Sequence, residues 1–168
     1  MGLNREQPHL VIYPEDSATK DLADSFKYFS KILKIRPEQL TVKPPAKGWS
    51  NALDRARNDD QLGRFPKRNV LLLIDLDTRS ERIERILDEI NDSHAVADRF
   101  FVVGWQGNIE QLKSKECSGR GFDKLAEKMA NDAVDCRGIW EDRCFEQMRS
   151  AGQYERLRGL LKMLAVQL

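Results

Sequence analysis

Val70-Leu71-Leu72-Leu73-Ile74 is an unbroken apolar run, bounded by Arg68-Asn69 on one side and Asp75 on the other. A strand with one face in water alternates apolar and polar residues, so a run without alternation predicts a strand covered on both faces. Phe100-Phe101-Val102-Val103-Gly104 repeats the pattern. Two such strands require helices on both sides and crossover connections between parallel neighbours. The rest of the chain supplies them. Leu10-Val11-Ile12-Tyr13 is a short β-prone run closed by Pro14, and Leu40-Thr41-Val42 a second one stopped by Pro44-Pro45. Between them, Leu22, Phe26, Phe29 and Leu33 recur at spacings of three and four, predicting one helix from Ser17 to Leu33 with Ser17 as N-cap. Ser50 is placed to cap a helix through Ala52, Leu53 and Ala56. The charged stretch from Asp59-Asp60 to Lys67-Arg68, with Gly63 and Pro66, reads as an exposed loop. A helix from about Arg79 to Asn91 follows, with Ile83, Ile86, Leu87 and Ile90 on one side.

Beyond Gln106 no strand signal stands out. Helical periods cover Ile109 to Leu112, Phe122 to Ala133, Trp140 to Met148 and Tyr154 to Leu164. The predicted fold is therefore α/β: a mostly parallel sheet of about four strands flanked by helices, with a helical C-terminal portion. A chain of 168 residues that is 40% hydrophobic and 33% charged suits one globular domain, able to bury its core without metals or disulfides. Within it, residues 9–115 form the α/β core and residues 116–168 the helices packed on it.

Several function classes are disfavoured from the outset. A net charge of +1 generates no field that would draw nucleic acid to the molecule as a whole. Cys117, Cys136 and Cys144 lack CxxC spacing, which points to reduced thiols in the cytoplasm rather than to zinc. Met1 to Pro8 has no apolar signal-peptide segment, and no apolar run approaches the roughly 20 residues a membrane helix needs. A cytoplasmic protein without membrane attachment is the expectation. Neither GxGxxG nor GxxxxGK[ST] occurs, which disfavours nucleotide binding through those loops, and His9 and His94 stand alone.

Acids carry the candidate chemistry. Ligands of open α/β sheets bind outside the carboxyl ends of the strands. Two predicted strands end in acids: the first runs into Glu15-Asp16, the buried one into Asp75-Leu76-Asp77. Residues i and i+2 of an extended segment point the same way, so Asp75 and Asp77 can present both carboxylates to one side. Clustered carboxylates repel unless a cation sits among them. Mg²⁺, or Mn²⁺ in its place, suits such oxygen ligands, and could hold phosphate oxygens and activate water. Acids at strand ends are also ordinary helix caps and loop residues.

Glu15 after the first strand, a helix, and then Asp75-Leu76-Asp77 after a later buried strand together resemble the TOPRIM domain of topoisomerases, bacterial primases and the overcoming-lysogenization-defect nucleases. The separation of 60 residues accommodates a helix, a strand and a second helix. Lys47-Gly48-Trp49 is similar to the glycine-containing turn after the second strand, and Asn108-Ile109-Glu110 to an acidic segment after the next strand. Where the family usually has glycine directly after the glutamate, this chain has Asp16. The resemblance, over about residues 9–115, implies a Mg²⁺- or Mn²⁺-dependent nuclease-like protein acting on DNA or RNA. It implies Glu15 as acid/base or metal ligand, Asp75 and Asp77 as metal ligands, and a place in a defence or repair assembly.

Other readings compete. Leu72-Leu73-Ile74-Asp75-Leu76-Asp77-Thr78 also resembles the nucleophile motif of haloacid-dehalogenase-type phosphatases, which implies Asp75 as nucleophile and Asp77 as acid/base. A non-catalytic subunit would keep the fold and bind a protein partner through Trp140, Phe145, Met148, Tyr154 and Leu161, although their helical spacing equally assigns them to the core. Trp49 and Trp105 fall in predicted loops where they could stack on bases. Lys43, Lys47, Arg55, Arg57, Arg64, Lys67 and Arg68 could contact phosphates, but interspersed Asp54, Asp59 and Asp60 make a solvated surface the simpler description.

Overall fold

The computed structural model describes residues 6–77, 81–92, 96–118, 121–133 and 137–165. Along the chain run β1 (His9–Pro14), α1 (Ser17–Asp24), α2 (Lys27–Leu33), β2 (Leu40–Val42), α3 (Trp49–Arg57) and α4 (Gln61–Arg64). They are followed by β3 (Arg68–Asp75), α5 (Arg82–Asn91), β4 (Phe100–Trp105), α6 (Ile109–Cys117), α7 (Phe122–Ala133), α8 (Glu146–Ser150) and α9 (Gln153–Leu164). The four strands form one wholly parallel sheet in the order β2-β1-β3-β4. From β1 the chain crosses outward to β2, and from β3 it crosses outward the other way to β4. The crossovers therefore diverge between β1 and β3, the place where sheets of this kind open a crevice.

β3 is buried along its whole length except at Asp75. Laterally paired residues share a face, so Ile12, Leu71 and Phe101 point one way, and Val11, Val70 and Phe100 the other. The first face packs against Phe26, which caps α2, Phe29 of α2, and Leu157 and Leu161 of α9. The second carries Tyr13, whose hydroxyl meets Asp59 just beyond α3. Coverage on both faces is what the unbroken apolar run requires. Among the described residues no helix is long and apolar enough to cross a membrane.

Several local expectations change. The single helix expected from Ser17 to Leu33 is two, because the backbone tightens to i−3 bonds at the junction, Ser25 N on the Leu22 carbonyl (3.1 Å) and Phe26 N on the Ala23 carbonyl (2.9 Å). The Ser25 hydroxyl has one proton to give and two acceptors within reach, the Asp21 carbonyl (2.9 Å) and Asp123 Oδ1 of α7 (3.0 Å). Asp16, not Ser17, caps α1: Asp16 Oδ1 accepts from Thr19 N, and Asp16 N donates to Thr19 Oγ1, both at 2.8 Å. The stretch from Trp140 to Met148 is two 3₁₀ turns (Gly138–Glu141 and Arg143–Phe145) leading into α8, not one helix. Trp140, Phe145, Met148, Tyr154 and Leu161 are all core, with Trp140 Nε1 donating to the Met129 carbonyl. Buried in this way, they offer no face to a partner. Trp105 is not in a loop either: it closes β4 and is buried, while half-buried Trp49 opens α3. The helix start expected at Arg79, together with His94 and Cys136, lies outside the described residues.

The supposed exposed loop from Asp59 to Arg68 is the largest correction. It contains α4, whose Leu62 is buried, and ends in a buried Arg68. Arg68 Nε and Nη2 donate to Asp59 Oδ2 at 2.9 and 2.6 Å, and Nη1 meets His9 Nε2 at 2.8 Å. Tyr13 donates its hydroxyl to the same Asp59 oxygen. A charged side chain can be buried when each polar atom finds such a partner. Burial acts to raise the Asp59 carboxyl, but hydrogen bonds from Arg68, Tyr13 and the Gln61 N–H outweigh it and hold the group below its ordinary range. Desolvation and the neighbouring guanidinium lower His9 to about 4. His9 is thus neutral at ordinary pH, accepting at Nε2 and carrying its proton on Nδ1.

Candidate functional site

β1 ends because Pro14 has no ladder donor, and the next residue turns toward β3: Glu15 N donates to the Leu73 carbonyl at 3.0 Å. The Glu15 side chain reaches the same strand. Its Oε2 accepts the backbone N–H of Asp75 at 2.8 Å. Two acids of the expected constellation, 60 residues apart in sequence, are therefore joined across the β1–β3 crevice. The Lys47-Gly48 turn lies against them, with Ala46 N on the Pro14 carbonyl and Gly48 N on the Glu15 carbonyl, both at 3.1 Å. This turn requires left-handed backbone, φ 64° at Lys47 and 130° at Gly48. The second value is one that glycine alone adopts readily.

Asp75, Leu76 and Asp77 form a tight turn. Asp77 N donates to Asp75 Oδ1 at 2.9 Å, and Asp77 takes φ 49°, a conformation that aspartate tolerates better than most residues. Leu76, fully buried, fixes the turn to β4 through its N–H on the Trp105 carbonyl (2.9 Å). Its side chain lies against Gly104, where an added Cβ would stand 2.6 Å from Leu76 Cγ. Gly104 is thus a close-approach glycine that admits the anchor of the acidic turn.

Asp75 and Asp77 open on a groove of about 600 Å³ whose other walls are Ala18, Gly107, Asn108, Ile109 and Glu110. Asn108 caps α6 by accepting from Glu110 N at 2.8 Å, and Glu110 pairs with Lys113. The acidic segment after β4 thus shares the groove with the aspartates. Asp16 keeps its carboxylate on the α1 cap, at φ −140° and ψ −169°, an extended backbone open to any residue. No left-handed conformation calls for glycine there.

The three expected ligands are not equivalent. Glu15 and Asp75 are half-buried, and desolvation raises both carboxyls above their usual range against the opposing pull of Arg82. Asp77 is exposed and paired with Arg82, whose Nη2 lies 2.8 Å from Asp77 Oδ2 while Nη1 donates to the Asp75 carbonyl at 2.7 Å. Among the described residues no three His, Cys, Asp or Glu side chains gather as a metal-holding group. Glu15 and Asp75 could each offer a cation one oxygen, Glu15 Oε1 and Asp75 Oδ2, beside those that accept from Asp75 N and Asp77 N. Asp77 could do so only on release from Arg82. A scan against protein-family models and searches of curated proteins and of solved structures return no match. The residues alone speak for function.

Sequence reading missed Arg82. One local signal existed. Arg82 is the first residue of α5, where the helix dipole disfavours a cation, so a nearby anion was to be expected.

Proposed function

We propose that the crevice between β1 and β3 is a cation-assisted phosphodiester-processing site built on Glu15 and Asp75, with DNA or RNA as substrate. The observation that carries this reading is the hydrogen bond from Asp75 N to Glu15 Oε2, which sets two half-buried acids side by side where the crossovers diverge. A likeness to TOPRIM domains implies the same placement. Glu15 is suited to acid/base work, since burial raises its carboxyl and brings proton exchange closer to neutral pH. Glu15 and Asp75 would hold Mg²⁺ or Mn²⁺, joined by Asp77 on release from Arg82. A cation there would supply charge stabilisation for a phosphate and a more acidic water. The turn at Asp75 and the Asn108-capped start of α6 would keep the groove walls fixed around the substrate. A phosphatase reading, with Asp75 as nucleophile and Asp77 as acid/base, draws less support because the Asp77 carboxylate is engaged by Arg82.

Two measurements test the proposal. Millimolar Mn²⁺ or Mg²⁺ should raise the melting temperature of the wild type by mass action, and not that of Asp75→Asn/Asp77→Asn. Plasmid DNA or labelled RNA should be nicked in a metal-dependent reaction that Asp75→Asn abolishes. A wild type that neither gains stability from metal nor cleaves either polymer removes the reading.

A further inference from the structure

We propose that His9, Arg68 and Asp59 form an acid-released latch: a proton taken up by the His9 ring frees the segment between α3 and β3, residues 58–67, while the sheet stays folded. The latch lies at the amino end of the sheet, opposite the crevice, and does not rest on the phosphodiester reading.

The cluster joins three parts of the chain. Asp59 stands just beyond α3, Arg68 opens β3, and His9 opens β1 in register with Arg68. Arg68 forks onto Asp59 Oδ2 at 2.9 and 2.6 Å and turns Nη1 to His9 Nε2 at 2.8 Å. The ring is 1% exposed. A proton on Nε2 would replace the acceptor that Arg68 uses with a second cation, where water screens the pair poorly. Asp59 is the acid that acts on the ring, and its oxygens already accept from Arg68, the Tyr13 hydroxyl and Gln61 N. The other neighbours add no anion. Phe65 meets the ring edge-on, the Asn69 amide lies 3.5 Å from the His9 carbonyl, and the Gln39 amide donates to the Pro8 carbonyl. Arg99 brings a further cation, its Nη1 2.9 Å from the Leu62 carbonyl and 3.1 Å from that of Phe65. Lys67, whose carbonyl accepts from His9 N, pairs at the margin with Glu6.

The segment yields before the sheet because little apolar surface holds it. Leu62 is the buried residue of α4, while Gly63, Arg64, Pro66 and Lys67 are exposed. Segments with few buried contacts open locally at low cost. Opening returns His9 to water, where it takes up a proton near 6.5 instead of about 4, so acid favours the open state.

Hydrogen exchange followed by NMR on the full chain tests the latch. The amides of Leu62, Phe65 and Arg68 donate to the carbonyls of Asp59, Gln61 and Phe65, and report the segment. Leu72, buried in β3, reports the sheet. In the wild type, protection of the three should fall roughly tenfold per pH unit from about 6 to 4, one proton being gained on opening. Low urea should change it little, because little surface is exposed, while Leu72 stays better protected and depends steeply on urea. His9→Gln keeps an acceptor oxygen for Arg68 but does not titrate, so the slope should vanish. A slope that persists in folded His9→Gln overturns the proposal. So does a wild type without the slope, without protection of the three amides at pH 6, or with their protection lost in step with Leu72. If His9→Gln does not fold, the wild type still decides. Its His9 ring, told from His94 by His94→Gln, should titrate where the fall in protection levels off, and a mismatch overturns the latch.

Discussion

Asp75 donates its backbone N–H to Glu15 Oε2 at 2.8 Å, tying together the carboxyl ends of two neighbouring parallel strands. That one bond makes Glu15 a structural as well as a chemical residue. Glu15→Ala leaves a half-buried N–H without its acceptor and should destabilise the fold by about 1–2 kcal/mol. Glu15→Gln keeps an acceptor oxygen and should unfold in urea within about 0.5 kcal/mol of wild type. A Gln variant as unstable as the Ala variant would show that the charge, not the hydrogen bond, matters.

The pH dependence of these acids has a defined sign. Glu15 and Asp75 both titrate higher in the folded protein than in the unfolded chain, chiefly through burial. Their contribution is fully present below their ordinary values and is lost as pH rises through the folded ones. Replacing both with the amides removes this loss. Urea melts of Glu15→Gln/Asp75→Asn should therefore gain stability relative to wild type as pH rises from about 4 to 7. A difference that stays flat with pH would contradict the assigned burial.

His9 acts in the opposite direction. Its folded value of about 4 lies below the ordinary imidazole value of 6.5, so as pH falls the unfolded chain takes up the proton first. Stability should drop between pH 6.5 and 4 by up to about 3 kcal/mol from this group alone. The His9 side chain is almost wholly buried, so a charge on it would be poorly screened by water. Proton NMR should show the His9 ring unprotonated down to a pH near 4, and titration of His9 above pH 6 would refute the geometry with Arg68.

The Asp59–Arg68 pair is nearly solvent-free, with the side chains 3% and 7% exposed. Arg68→Met strands the Asp59 carboxylate and should cost about 3–5 kcal/mol in chemical denaturation, whereas Arg68→Met/Asp59→Asn should recover part of the loss. A single-variant loss below about 1 kcal/mol, the size typical of a surface pair, would show that the pair is wet.

Gly104 and Leu76 can be tested as a couple. Gly104→Ala puts a Cβ 2.6 Å from Leu76 Cγ and should destabilise by about 1–3 kcal/mol through overpacking. Leu76→Ala should destabilise too, by opening a cavity, yet Gly104→Ala should cost little in that background. Strictly additive losses would deny the contact.

Much of this fold is legible along the chain, because periodicity records which side chains leave water. The apolar run of β3 announced a two-faced strand, and β4 and the isoleucine stripe of α5 followed the same logic. The acids after β1 and β3 were legible as candidates because they stand where strands stop. Polar partners were not. The charged stretch from Asp59 to Arg68 looks solvated in sequence, since His9 and Tyr13, which help to satisfy it, lie on a different strand. The helix breaks at Ser25 although the apolar spacing continues past it, and there the Ser25 hydroxyl meets Asp123 of α7, 98 residues away. Arg82 left only the weak signal of a cation at a helix start.

Local pattern was therefore enough for an α/β chain with parallel strands and acids at their carboxyl ends, since burial and turn chemistry are written residue by residue. Strand order was not so written. Whether Glu15 would face Asp75 depended on β1 and β3 becoming neighbours, which the packing of crossover helices on both faces decides. Which acid would be paired with a cationic side chain depended on where Arg82 would fall once α5 docked. The tertiary structure joins Glu15 to Asp75 and gives Asp77 to Arg82, because a hydrogen bond or an ion pair needs two groups brought together in space.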